Sequence, residues 1–377
     1  MANKKRKLEA QRSRHRRRLI VVVLGILLAV AGASYAMRAL VGGVAETIAP
    51  RSSGANAADE FAGGPPSLFY VDFAEGSDLH LLDLDEDSDE VVGELSRSGN
   101  TTAAPGSRWL SVEVTDEVGE KGSRPVIYLF DPETEEETRI GVGYSPTWSP
   151  DGKLLAWTQP EDESLCGEED CRGDARAMVT DPETGETTPW TEPGPYDVTA
   201  WAGDYLVVSD SPSGGEPVLQ SASPEDGLQR LSVRPLDFWG VSPDGRWVVQ
   251  SSEEAPAMFL EMEDGQISGQ GEQIGIPEGT KLGEGAWAHD ASRVAAFAVG
   301  EGKTLDFVTF SPDEPDPVVR TEGGESSAGN VAWAPDNDGV VFQRFTGTEL
   351  EAVYCPLDGE CESVLSWTTG ITLLRVE

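Results

Sequence analysis

The sequence predicts an all-β fold: a β-propeller of six or seven four-stranded blades, preceded by one amino-terminal transmembrane helix. A turn motif recurs at propeller spacing, a second turn motif keeps step with it, and a charge-free apolar run precedes both. The first motif is clearest in Tyr144 to Thr158, YSPTWSPDGKLLAWT. Ser149-Pro150-Asp151-Gly152 has the composition of a type I turn, with proline fixing φ at the second position and glycine at the fourth. Short apolar runs flank it, so the stretch reads as strand, tight turn, strand.

The motif returns almost verbatim at Ser242-Pro243-Asp244-Gly245 before Arg246-Trp247-Val248-Val249. Looser copies stand at Trp333-Ala334-Pro335-Asp336 and Trp287-Ala288-His289-Asp290, and degenerate ones at Trp201-Ala202-Gly203-Asp204 and Ala104-Pro105-Gly106-Ser107. With the turns placed at 105, 150, 203, 243, 289 and 335, the spacings are 45, 53, 40, 46 and 46 residues. A strand-borne period of this size signals a propeller. The second motif, Asp131-Pro132-Glu133-Thr134 and Asp181-Pro182-Glu183-Thr184, occupies the same place in successive repeats and supports the register.

The W-S-P-D-G-K-L-L-A-W unit resembles the repeat of TolB-type, WD-repeat-like propellers of bacterial envelopes. The resemblance runs over most of residues 68–377, closest at 148–157 and 242–249. It implies a scaffold that binds partners through its faces, and it speaks to fold more than to function.

In chain order, residues 1–18 hold nine Lys/Arg and one Glu, and residues 19–37, LIVVVLGILLAVAGASYAM, carry no charge. Nineteen apolar residues are enough to span a bilayer as a helix, and the basic cluster keeps the amino terminus cytoplasmic. A cleaved signal peptide is the rival, since Ser34 and Ala36 suit the positions before a cut; the long basic head and full apolar run favour an uncleaved anchor. Residues 38–66, rich in Ala, Gly and Ser, read as a linker. Residues 67–377 are the extracytoplasmic propeller. Three strands, at 68–73, 79–84 and 91–95, precede the first turn motif and lack an inner partner. Ile371 to Val376 follows the last repeat and supplies it, giving seven blades; if the end strands only extend a neighbour, there are six.

Charge excludes one class of function. From residue 59 onward the chain has 17 Lys/Arg against 65 Asp/Glu. Such a surface repels phosphates, so no nucleic acid is expected as a partner. It favours cations, basic partners or a salty medium, and solvation alone accounts for much of it.

The four cysteines fall into two close pairs, Cys166 with Cys171 and Cys355 with Cys361. Two disulfides fit an oxidising compartment, whereas these spacers without nearby histidine make poor zinc sites. Catalytic signatures are missing: there is no G-x-S-x-G elbow, Walker loop or dinucleotide fingerprint. His15, His80 and His289 each read as structural, and no catalytic residue or cofactor is expected.

Asp83, Asp85, Asp87 and Asp89 alternate, with Glu94 eleven residues after Asp83, and the pattern is similar to a calcium loop. Ser88 stands where the loop glycine belongs, so a solvated acidic hairpin is the preferred reading and calcium the minority one. Trp148, Trp201, Trp287 and Trp333 share one position in the repeat and read as blade packing. Trp190, Trp239 and Trp367 fall outside it and are the better candidates for ligand-contacting rings.

The function these readings support is a membrane-anchored interaction scaffold that binds envelope proteins. A calcium-dependent adhesion or glycan-binding module is the alternative, and an enzyme with its site in the central channel is the third.

Overall fold

The computed structural model describes residues 67–376 apart from 74–76, 84–87, 118–122, 164–173, 211–217, 235–237, 253–255, 278, 301–304, 325–327, 346–348 and 368–370. The chain divides into two units, Met1–Ile48 and Ala49–Glu377, and every described residue belongs to the second. No helix among the described residues is long and apolar enough to cross a membrane; the expected span at 19–37 lies outside them.

Among the described residues, twenty-eight strands form seven four-stranded antiparallel sheets. β1 (Ser67–Asp72), β2 (Asp78–Asp83) and β3 (Ser88–Glu94) come first in the chain and complete the last blade, numbered 7. Blade 1 is β4 (Asn100–Ala103), β5 (Leu110–Glu117), β6 (Ser123–Asp131) and β7 (Glu136–Val142). Blade 2 is β8 (Tyr144–Trp148), β9 (Leu155–Pro160), β10 (Ala175–Thr180) and β11 (Thr187–Pro189). Blade 3 is β12 (Tyr196–Ala202), β13 (Tyr205–Asp210), β14 (Val218–Ser223) and β15 (Gly227–Arg230). Blade 4 is β16 (Phe238–Val241), β17 (Trp247–Gln250), β18 (Met258–Glu263) and β19 (Gln266–Gln273). Blade 5 is β20 (Lys281–Trp287), β21 (Val294–Val299), β22 (Leu305–Phe310) and β23 (Val318–Gly324). Blade 6 is β24 (Ala328–Trp333), β25 (Gly339–Phe345), β26 (Leu350–Pro356) and β27 (Glu362–Trp367). β28 (Ile371–Val376) then pairs with β1, from Leu68 opposite Val376 to Asp72 opposite Ile371. The carboxyl-terminal strand is therefore the inner strand of blade 7, and seven blades is the correct count.

Each repeated turn joins the inner strand of a blade to its second strand, and its hydrogen bonds explain its residues. In the Ser149 copy, the Gly152 amide donates to the Ser149 carbonyl at 2.9 Å and the Leu154 amide to the Ser149 hydroxyl at 2.9 Å. That hydroxyl donates in turn to Asp151 Oδ1 at 2.8 Å. The Ser242 copy repeats the set at 2.9, 2.9 and 2.6 Å. Burial opposes ionisation of Asp151, but the bonds from Ser149 and Lys153 outweigh it and hold the carboxyl below its ordinary range. The Asp-Pro-Glu-Thr turns join the third and fourth strands, and strand alternation puts both kinds on one face, called here the turn face.

The core is divided into seven clusters among the described residues, one in each wedge between neighbouring blades. Alternate residues of one strand feed opposite wedges. Val294, Ala296 and Ala298 of β21 pack towards blade 4, whereas Ala295 and Phe297 pack towards blade 6. A sheet covered on both faces needs apolar residues at successive positions, which is why these strands read as unbroken apolar runs.

The tryptophans in register lock the wedges. Trp148, Trp201, Trp287 and Trp333 are all buried. Trp148, Trp201 and Trp333 donate their indole N–H to inner-strand carbonyls of the preceding blade, at Thr102, Thr147 and Ala286, over 3.2, 2.9 and 3.0 Å. The same contact fixes ring and strand together and satisfies a polar atom that burial would otherwise leave costly.

Candidate functional site

On the turn face, blades 3 and 4 leave an open cleft of ≈ 700 Å³. Its floor is the meeting of two repeated turns. The Gly203 amide donates to the Pro243 carbonyl at 3.2 Å, and a β-carbon on Gly245 would stand 2.6 Å from the Ala202 oxygen. Only bare backbone fits there. The walls are aromatic and acidic. Tyr205 rises from the first turn with its ring against Gly265, and its hydroxyl donates to Asp226 Oδ2 at 3.1 Å. That bond, followed by burial and the nearby carboxylates, pushes the phenol up. Trp247 also touches the cleft, but its half-buried ring turns away from it into the wedge with blade 5, edge-on to Phe259 with ring centroids 6.0 Å apart.

Asp204, Asp244, Glu261, Glu263 and Asp264 line the cleft against a single basic residue, Arg246. Asp244 is used by its own turn, accepting from the Ser242 hydroxyl and the Arg246 amide. The other four carboxylates have no hydrogen bond or ion pair among the described residues. Four unneutralised carboxylates beside the Tyr205 ring suit a cationic group, which gains from field and from ring face alike. Each exposed pair adds under about 1 kcal/mol, so affinity needs several at once and falls with salt.

A second constellation, missed in the sequence, lies on blade 7. Tyr70 and His80 are register partners on β1 and β2, stacked at 4.8 Å and 11°. Asp89 of β3 accepts from the Tyr70 hydroxyl at 2.8 Å and lies 3.1 Å from His80 Nδ1. His80, read from sequence as structural, thus touches both Tyr70 and Asp89. The group binds three strands together and is read as structural. His289 also acts between blades: its amide donates to Asn337 Oδ1 at 2.8 Å, and its ring nitrogen lies 3.2 Å from the Trp333 carbonyl.

Of the calcium candidates, Asp83, Asp89 and Glu94 lie among the described residues. Asp83 pairs with Ser88 at the loop end of the β2–β3 hairpin, while Glu94 pairs with Asp78 at the other. That separates them by about 17 Å at the rise of a strand. Asp89 is engaged by Tyr70 and His80, and Asp85 and Asp87 lie outside the described residues. No three His, Cys, Asp or Glu among the described residues are grouped to hold a metal ion.

Trp239 departs from expectation. It is buried and donates to the Gly283 carbonyl, because strand alternation sets it on the face opposite Phe238, in the wedge with blade 5. Trp190 packs edge-on against Trp201 at 5.3 Å, and the Trp367 side chain lies outside the described residues. Cys355 and Cys361 are joined by a disulfide; Cys166 and Cys171 lie outside the described residues.

No protein-family model and no curated protein matches the chain. Solved structures do. The periplasmic gluconolactonase PpgL of Pseudomonas aeruginosa is 17% identical with a TM-score of 0.53, over 83% of this chain and 98% of that one. An acylaminoacyl peptidase of Pyrococcus horikoshii is 14% identical with a TM-score of 0.53, over 80% of this chain and 50% of that one. The chain thus spans about half the length of that peptidase. TolB of Acinetobacter baumannii is 16% identical over 83% of this chain and 67% of that one, with a TM-score of 0.46. At these identities the comparisons show fold alone. The class defined is a closed seven-bladed β-propeller.

Proposed function

We propose that the protein is a membrane-anchored, extracytoplasmic propeller that binds protein partners at the bacterial cell envelope. The cleft between blades 3 and 4 seats a basic segment of the partner. The observation that carries this reading is the set of unpaired carboxylates at Asp204, Glu261, Glu263 and Asp264 around Tyr205. The basic head and apolar run at 1–37 support the anchor, and the paired cysteines support an oxidising compartment. A channel enzyme is the second reading, favoured by the lactonase whose whole length matches the propeller.

The test is crosslinked affinity capture from membranes with the full-length protein and with a Glu261→Gln/Glu263→Gln/Asp264→Asn variant. The expected result is a reproducible set of envelope proteins, captured less well by the variant and at raised salt. Equal capture by the variant would remove the cleft from the proposal. Retention on cell-wall polysaccharide without any protein partner would overturn the scaffold reading and favour glycan binding.

A further inference from the structure

The turn between β26 and β27 is enclosed in a small covalent ring, since Cys355 and Cys361 are disulfide-bonded across Pro356–Glu360. The hairpin itself does not require this bond. Its two strands are already paired from Leu350 opposite Trp367 to Tyr354 opposite Glu362. What the ring adds is the shape of the loop.

That shape is used by the neighbouring blade. Arg320, on the outer strand β23 of blade 5, donates through Nη2 to the carbonyls of Pro356 and Gly359, the latter at 3.3 Å. Its own carbonyl lies 3.7 Å from Cys361 Sγ. Two carbonyl dipoles aimed at one guanidinium repel each other, so they stay converged only while the loop is held. Leu357 and Cys361 rest on the blade 5–6 cluster, where the Phe307 and Phe342 ring centroids are 4.1 Å apart. The Leu357 amide also donates to the Asp338 carbonyl at 2.7 Å. The loop thus caps the wedge between two blades.

We propose that loop 355–361 is a thiol-controlled clasp joining blades 5 and 6, closed when oxidised and released by a dithiol reductant. Cys355 is buried and Cys361 half-buried, so the incoming thiolate attacks Cys361 Sγ. The sulfur–sulfur bond breaks, Cys355 leaves, and a mixed disulfide forms on Cys361. The second thiol of the reductant then displaces Cys361. The reductant ends as a disulfide, and its two protons pass to Cys355 and Cys361. The freed turn no longer presents both carbonyls to Arg320, and the edge strand β23 loses its dock. This device is independent of the cleft between blades 3 and 4.

The test uses the full chain in detergent micelles, carrying Cys166→Ser and Cys171→Ser so that dithiothreitol acts at one pair. Hydrogen exchange is followed by mass spectrometry before reduction, after it, and after reoxidation. The expected result is an increase of about tenfold in exchange at Val318–Gly324 and 355–361 on reduction, reversed by oxidation, with blades 2 and 3 unchanged. Arg320→Met should raise exchange at the same segments in the oxidised protein. Unchanged exchange at Val318–Gly324 on reduction would overturn the proposal. So would an increase spread over all seven blades, because the disulfide would then be a global staple.

Discussion

A β-carbon built on Gly152 would stand 2.0 Å from the carbonyl oxygen of Pro105, in the turn of the preceding blade. The residue also sits at φ +65°, a region that side-chain-bearing residues rarely adopt. The glycine of the motif therefore serves both its own turn and the fit between turns. Gly185, at φ +70°, has nothing within 4 Å of the same position. Gly152→Ala should cost about 3 kcal/mol or more, and Gly185→Ala about 1 kcal/mol, since only the first adds a clash to backbone strain. Urea unfolding of the two variants checks the difference; equal costs would deny the turn-to-turn packing.

Glu135 occupies, in the turn of blade 1, the position that Gly185 holds in blade 2, and it is exposed at φ +56°. Glu135→Gly removes left-handed strain but adds freedom to the unfolded chain. The net expectation is a gain of about 0.5–1 kcal/mol, read as a raised urea midpoint.

Trp201 and Trp287 hold the same place in the repeat with different polar partners. The Trp201 indole donates to the Thr147 carbonyl, whereas the Trp287 indole N–H is buried with no partner among the described residues. Substitution by phenylalanine leaves a smaller ring in both wedges, but it breaks a hydrogen bond only at 201. Trp201→Phe should therefore destabilise more than Trp287→Phe, by about 1 kcal/mol in unfolding free energy.

Burial, and then the bond to Asp89 with the charges of Asp89 and Asp72, push the Tyr70 phenol well above its ordinary value. The unfolded chain releases this proton near pH 10 and the folded chain holds it longer. The resulting stability is complete below about pH 10 and is lost as pH rises towards the folded value. Tyr70→Phe should flatten the alkaline fall in stability, measured as urea midpoints across that range.

The repeat was legible because its determinants are local. The Ser149 hydroxyl, the Asp151 carboxylate and the Leu154 amide lie within six residues and bond to one another, so residue type alone specifies the turn. The closing strand was legible too, since Ile371 to Val376 is left over once the repeats are in register. What was hidden depends on register and on distance along the chain. Trp239 faces blade 5 because it alternates with Phe238 on β16, and no residue type there announces which of the two faces which wedge. His80 meets Asp89 only after a shift in the β2–β3 ladder puts them on one face. The cleft draws Tyr205 from blade 3 and Trp247, Glu261 and Asp264 from blade 4, a grouping that exists only once the two blades pack.

The seam in blade 7 also fixes how the molecule bears load. β1 lies between β28 and β2 and is laddered to both, whereas among the described residues β28 is laddered to β1 alone. A pull entering through Ser67 must shear two ladders together along their length. A pull on the carboxyl terminus has a single ladder to break. The end that leads back towards the basic head is thus the mechanically stronger handle, and the opposite end is where the ring would come undone.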